Sequence, residues 1–558
     1  MRRFTLLAVS LVAFCAACGN APTLTGEEPG ITVTLATQPL GTCNEQASIH
    51  GSNQFPPDSI KAKIRVFKED DSVAREVTST ASDLLPTGEL LIEQVPVGTD
   101  LRLQLVACDA NGSVIWGGMT RGIALGEFKK VTTEIFLTRR GRFNCTGSNR
   151  IVQNIPIGQP KPPANLAFHS ATTLDDGTVL LVGGIRMLDK GVNGLTTDRA
   201  SLYHPNRGVF EPLKSTLTSS RAFHKAVPFI INDRQVVLLI GGTKTALFDP
   251  INSDAPWGSK EAPTVVLEAY DIATKSFVPV FGVDIPVRLH AAVATSADRK
   301  LLVVAGGLNE SNKATDDLYV WSGDSLLKTK LLTKRVGAAV VRLANGNFLI
   351  YGGNVDGDPS HIAELFNPNN VTTELVPVQG TPAPVVTAFS AVLNKVDRLF
   401  VLGGHEVSAT NKRVIQRTAA GLAYIIDYDQ NSKKALMVPL TLDDTAKSLV
   451  ERVYHTATWV GDQILVTGGH KGATFSSGTS LDTMVLLSFP NNDIAVTPLT
   501  DSSNTEVKFP STVVGASAVA LPDGTVLFVG GMVNLTQDQV FDIAHIWAFP
   551  ISDPANCD

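Results

Sequence analysis

The chain has 558 residues, 44% of them hydrophobic and 18% charged, with a formal net charge of −6. That length can bury more than one core, and the dispersed, slightly acidic charge argues against a nucleic-acid surface. Beyond the first residues, no segment reads as long and apolar enough for a transmembrane helix.

Met1-Arg2-Arg3 and the apolar run Phe4 to Ala17 have the form of a signal peptide, too short to span a bilayer as a mature helix. The run ends at Cys15-Ala16-Ala17-Cys18-Gly19, which resembles a bacterial lipobox, with Cys15 where that family usually has Leu. The resemblance implies an exported lipoprotein, lipidated at Cys18, at the outer membrane or cell surface. Ordinary secretion or a periplasmic location, with cleavage near Ala17, is the alternative. Residues 1–18 are then leader, and the small polar stretch 19–30 is a tether.

Residues 31–140 alternate in runs typical of strands: Ile31 to Ala36, Ala62 to Phe67, Leu90 to Val95, Leu101 to Ala107, Ser113 to Trp116 and Val131 to Leu137. Asp109-Ala110-Asn111-Gly112 is a hairpin signal. About seven short strands in such a length predict a β-sandwich, similar to the small Ig-like or transthyretin-like modules of exported bacterial proteins. His50 reads as a surface residue, and this region as a support.

From residue 146 to 558 one stretch recurs seven times, an aliphatic run ending in two glycines. The pairs are Gly183-Gly184, Gly241-Gly242, Gly306-Gly307, Gly352-Gly353, Gly403-Gly404, Gly468-Gly469 and Gly530-Gly531. A short Val/Ile/Leu run reads as a strand buried on both faces. Paired glycines suit a place where backbones crowd or φ is positive. A short strand of small residues precedes each run, and Asp175-Asp176-Gly177, Ala344-Asn345-Gly346 and Pro522-Asp523-Gly524 supply hairpin turns between the two. A repeat of this length holding several strands predicts a propeller blade. The pattern resembles the kelch repeat, which implies an all-β, seven-bladed propeller like the central domain of galactose oxidase. Outer strands end in Glu211-Pro212, Val278-Pro279, Val376-Pro377, Val438-Pro439 and Thr497-Pro498, as edge strands would. The seventh blade offers three strands, so residues 149–157, with Ile155-Pro156-Ile157, are expected to supply its fourth.

Four cysteines remain for the mature chain: Cys43, Cys108, Cys145 and Cys557. None has zinc spacing, and an oxidising compartment favours disulfides, with three connectivities open. Position favours Cys43–Cys108 inside the first domain and Cys145–Cys557 as a clamp on the ring.

His169, His224, His290 and His455 recur before the Gly-Gly strands, with Arg221, Arg288, Arg335 and Arg452 before several. Facing histidines could gather a metal. The kelch resemblance implies instead that Arg and His satisfy backbone groups between blades, so no metal or cofactor is expected. Asp356-Gly357-Asp358 reads as a polar turn, and no nucleophile elbow or phosphate loop is present.

The loops after the Gly-Gly pairs are long and carry Phe248, Trp257, His405, Lys412, Arg413, His470 and Phe475, a candidate binding face. The expected function is non-catalytic binding or scaffolding at the bacterial envelope, with a protein or glycan as partner. The alternative is an enzyme on a kelch scaffold, a copper radical oxidase or a sugar epimerase or mutarotase. No copper ligand set or crosslinked cysteine stands out for either.

Overall fold

The computed structural model describes residues 29–37, 55–146, 166–189, 193–247, 258–309, 311–353, 361–407, 414–472, 478–532, 544–548 and 557, apart from short stretches inside those spans. The leader, most of the tether, Cys43, His50, residues 149–157 and Asp356-Gly357-Asp358 lie outside the described residues. Among the described residues the one α-helix is Asp444–Val450, and nearly all other regular structure is strand.

Residues 30–139 form a seven-stranded sheet. Its order is Val73–Ser79, Lys61–Phe67, Gly98–Cys108, Val114–Leu125, Lys130–Arg139, Gly30–Thr37 and Glu89–Glu93. The two halves of that order are joined by Trp116 opposite Arg139 and Gly117 opposite Thr138, with the Thr120 and Thr133 hydroxyls 3.4 Å apart across the same two strands. Both halves bury side chains in one core, with Ile64, Leu103 and Leu105 from one and Ile31, Val33 and Ile135 from the other. Gly30–Thr37 runs parallel to Lys130–Arg139, a pairing that alternation alone does not reveal. The hairpin at Asp109 forms as its sequence predicts. The Asp109 carboxylate accepts from the amides of Asn111 and Ser113, both at 2.9 Å, and Gly112 takes φ +79°.

Each Gly-Gly strand lies second in a sheet of its own, and these sheets are numbered 1–7 here in chain order. Their inner strands are Ser170–Thr173, Lys225–Ile231, Ala292–Thr295, Ala339–Arg342, Ser390–Leu393, Thr456–Val460 and Ser517–Ala520. The Gly-Gly strands are buried on both faces, as in Val179–Val182, Leu302–Ala305 and Phe348–Tyr351. Neighbouring sheets meet face to face and share cores. Leu180 and Leu239 pack between sheets 1 and 2, and Leu238 and Trp321 between sheets 2 and 3. Val303 and Phe348 lie between sheets 3 and 4, Phe400 and Val466 between 5 and 6, and Leu465 and Phe528 between 6 and 7. Leu181 and Val529 join sheet 7 back to sheet 1. Each fully buried Leu or Val contributes roughly 1.5–3 kcal/mol, so every such interface is a substantial part of the whole. Among the described residues, inner strands touch between six of the seven successive pairs of sheets, all but 4 and 5, including Ser517–Ala520 against Ser170–Thr173. The result is a nearly closed, all-β ring of small antiparallel sheets, compatible with a β-propeller.

Closure departs from expectation in two ways. The fourth strand of sheet 7 is Arg142–Cys145, paired antiparallel with Ala544–Ala548, so the strand comes from a point upstream of residues 149–157. The disulfide joins Cys108 to Cys557, which overturns both the Cys43–Cys108 and the Cys145–Cys557 pairings. Register explains the second correction. Arg142 lies opposite Ala548, so the chain leaving sheet 7 emerges beside the start of that outer strand, where the first sheet begins. Cys145 lies opposite His545, three residues or about 10 Å farther along the strand. Cys108 ends its own strand opposite Lys61, and the Cys557 sulfur rests on the Lys61 carbonyl.

Pro212, Pro279 and Pro498 end outer strands as expected. In sheet 5 the strand ending at Pro439 is not the edge, because Val378–Gln379 pairs parallel to it. The crossing from sheet 5 to sheet 6 contains the helix Asp444–Val450. Asp443 caps it, accepting from the Ala446 amide at 2.7 Å. Ala446 and Val450 bury its inner side against Phe400 and Val466.

Candidate functional site

The ring has two ends. At one, tight turns join inner strands to Gly-Gly strands; at the other, the Gly-Gly pairs themselves lie.

All fourteen glycines of the pairs have positive φ, from +60° at Gly403 to +106° at Gly404. A Cβ on Gly306 would stand 2.6 Å from the carbonyl oxygen of Arg335, where the outer strand of sheet 3 ends and the chain passes to sheet 4. One on Gly469 would stand 2.7 Å from the Val453 carbonyl of its own sheet. The second glycine then donates across the interface. The amides of Gly184, Gly307, Gly404, Gly469 and Gly531 reach the carbonyls of Arg221, Arg335, Arg452, Val513 and Leu166, at 2.7–2.9 Å. The last of these bonds crosses from sheet 7 to sheet 1.

The arginines hold the same places from the side-chain direction. Arg221, Arg335 and Arg452 are buried, and each donates to the first glycine carbonyl of the sheet its chain enters next: Gly241 at 3.3 Å, Gly352 at 2.6 Å and Gly468 at 2.9 Å. Glu268 and Glu364, also buried, pair with Arg221 at 3.0 Å and Arg335 at 2.8 Å. Burial pulls the Arg221 and Arg452 guanidinium pKa values down to about 10, and Glu268 partly offsets this for Arg221. Arg288 lies outside the described residues.

The histidines occupy two positions, not one. His169, His224 and His455 are equivalent, directly following residues with positive φ: Phe168, Phe223 and Tyr454. His290 is itself such a residue, at φ +57°, because Leu289 is the residue that bridges to Leu308, directly after the Gly306-Gly307 pair. The His169 ring meets the Ser517 hydroxyl at 2.7 Å and the His224 ring meets Ser170 at 2.8 Å, each in the preceding sheet. Burial pushes His169 down to about 4 and His290 and His455 down to about 3, so all three are neutral near pH 7. Among the described residues no three His, Cys, Asp or Glu side chains gather as metal ligands would. His169 and His224 link neighbouring sheets.

Phe168, Phe223, His290 and Tyr454 form a collar on the axis at the Gly-Gly end. Phe168 stacks on Phe223 with centroids 4.4 Å apart, Phe223 meets His290 at 5.5 Å, and Phe168 meets Tyr454 at 6.2 Å. Backbone bonds run along the same belt, from Gly515 to Tyr454, Phe168 to Gly515, Phe223 to Phe168 and Gly337 to His290. Inside the collar the inner strands are half-exposed along their length, as in Ala339–Arg342, Thr456–Val460 and Ser517–Ala520.

The long loops build further strands at this end. Ile185–Asp189 and Asn193–Thr196 from sheet 1 join Thr245–Leu247 and Gly258–Ser259 from sheet 2 in a four-stranded accessory sheet. Val386–Thr387, His405–Val407 and Val414–Thr418 form a second one, and His470–Lys471 pairs with Thr479–Ser480. His405 and His470 are each 3% exposed, which removes them from the accessible rim. His405 packs on Tyr454 at 5.6 Å, and His470 exchanges both backbone bonds with Val453. Phe248, Trp257, Lys412, Arg413 and Phe475 lie outside the described residues. Leu195, 40% exposed on the accessory sheet, is an apolar candidate that sequence reasoning missed.

The opposite end is covered near the seam. Phe136 of the first sheet inserts among Leu181, Tyr203, Phe210 and Leu527, between sheets 1 and 7. Arg140 donates to the Asp523 carbonyl at 3.4 Å, and Arg207 pairs with Glu134 at 2.7 Å. Arg299 grips Asp175 through two bonds of 2.8 Å, tying the turn of sheet 3 to that of sheet 1.

No protein-family model matches the chain, and no curated protein is significantly similar to it in sequence.

Proposed function

We propose that this protein is a seven-bladed, kelch-type propeller carried on an Ig-like module, exported as a lipoprotein and binding a protein or glycan through its Gly-Gly face. One observation carries the reading: the accessory sheets grow only from the Gly-Gly ends of the described sheets, while the seam side of the other end is covered by the chain's own first sheet. Long segments on a rigid scaffold are where binding usually resides. Arg, His and the glycines serve the scaffold, so recognition falls to the outer loops, whose Trp257, Phe248, Phe475, Lys412 and Arg413 suit an interface.

Two variants test this against envelope proteins and glycans. In one, residues 406–419 become a short Gly/Ser linker. In the other, the Asn345-Gly346 and Asp523-Gly524 turns become other two-residue turns. The first is expected to lose its partner and the second to keep it; the reverse outcome places binding on the wrong end. Anchoring is a separate matter: Cys18→Ser should move the protein out of the membrane fraction, and unchanged fractionation would refute lipidation at that residue.

A further inference from the structure

The Cys108–Cys557 bond takes two of the four cysteines beyond the leader and leaves Cys43 and Cys145. Cys108 is 1% exposed and Cys557 2%, so that bond is closed to exchange with the other two. Of the three connectivities open to four cysteines, the one that contains it pairs Cys43 with Cys145.

The ladders show whether these two can meet. Cys145 ends the outer strand of sheet 7, opposite His545. Asn144, the residue before it, is buried and holds Arg139 of the first sheet. Its side-chain oxygen accepts from the Arg139 amide at 2.7 Å, and its nitrogen donates to the Arg139 carbonyl at 3.0 Å. The next amide, that of Arg140, donates to Ile115 in the neighbouring strand Val114–Leu125. Amides alternate in direction along a strand, so that of Arg139 points the other way, to the side on which Gly30–Thr37 runs. That strand stops at Thr37, opposite Leu137. Asn144 therefore takes up the edge of Lys130–Arg139 where Gly30–Thr37 leaves it, two residues or about 7 Å farther on. Cys43 lies outside the described residues, and chain length sets its range. It is six residues beyond Thr37, a span of up to about 20 Å. Cys145 is the residue after Asn144, and a disulfide bridges Cα atoms roughly 6 Å apart. The segment leaving Thr37 thus starts beside Asn144 and has the length to reach Cys145.

We propose that Cys43 and Cys145 form a second disulfide, which fastens the segment after Thr37 to the outer strand of sheet 7. Its formation removes two protons and two electrons from the two thiols. An exchanging disulfide of an oxidising compartment accepts them and leaves as a dithiol. The bond has a place to hold, because the ring closes through the ladder of Arg142–Cys145 with Ala544–Ala548, four residue pairs long. Cys108–Cys557 secures that ladder near Arg142, and Cys43–Cys145 secures its other end. The bond is independent of the partner proposed for the outer loops.

The test is a thiol map of the full chain purified after export. Free thiols are alkylated under denaturing conditions without reductant, and the digest is read by mass spectrometry. Neither Cys43 nor Cys145 should carry the label, and their peptides should stay joined to each other until reductant is added. Label on either residue, or a link from either to any other cysteine, would overturn the proposal. Variants give a second reading. Cys43→Ala should uncover one new labelled thiol, at Cys145, and Cys145→Ala one at Cys43. Each should lower the melting temperature, and the double variant should lower it no further than the single ones. Losses that add would refute a shared bond. Should the variants fail to fold, the wild-type map decides alone.

Discussion

At the turn end of the ring the described contacts are made within the chain: Phe136 wedges into the seam, Arg140 holds the Asp523 turn, and Arg299 ties across to Asp175. At the Gly-Gly end, the backbone is locked by glycines, arginines and histidines, and the loops beyond that lock build accessory sheets. The difference teaches where each kind of constraint belongs. Inter-sheet hydrogen bonding from glycines, arginines and histidines is concentrated in a layer at the Gly-Gly end, beneath the accessory sheets. The turn end is braced by docking of a second sheet.

Acid should separate the two ends most strongly. His169 titrates at about 4 and His455 at about 3 in the folded state, against 6.5 unfolded. Below pH 6.5 the unfolded chain binds protons that the folded chain refuses. Stability is therefore fully present above pH 6.5 and falls as pH drops towards 4, by about 1.4 kcal/mol per unit for each such histidine. Denaturant melts at pH 7 and pH 5 measure this, and equal stability at the two would refute the neutral, buried assignment. The carboxylates held low by turns and ion pairs, such as Asp175 and Asp298, lose their contribution only at lower pH, below the ordinary carboxylate value.

Substituting glycines sharpens the same contrast. Gly306→Val places a side chain against the Arg335 carbonyl at φ +63° and should cost about 3 kcal/mol or more. Gly524→Ala, at φ +78° with nothing within 4 Å, should cost about 1 kcal/mol from backbone strain alone. Thermal melts that rank the two the other way would show that the Gly-Gly layer is not the tighter one.

Much of this arrangement was legible in the sequence because it rests on composition. The doubly buried strands are aliphatic runs, the crowded junctions are glycines, and turns such as Asp109 to Gly112 carry their own side-chain acceptors. What was missed depends on register. His290 looks equivalent to His224, and only the pairing of Leu289 with Leu308 shows it one position earlier. The cysteine pairing could not be read until Arg142 was seen opposite Ala548. Edge strand Val73–Ser79 escaped notice because water covers much of it, which leaves little apolar alternation. The helix Asp444–Val450 did have a signal, a capping Asp443 with apolar residues at Ala446, Leu449 and Val450. For the candidate face, the loop lengths mark the end where the accessory sheets form, yet His405 and His470 belong to the packed layer beneath them.

The division of labour between the two ends can be read from where a partner touches. A photo-crosslinking residue placed at Leu195, on the accessory sheet, and another placed at Asn345, on a tight turn, each report contact within a few ångströms. With the captured protein or glycan present, the Leu195 position should crosslink to it and the Asn345 position should not. Crosslinking from Asn345 with none from Leu195 would contradict the account.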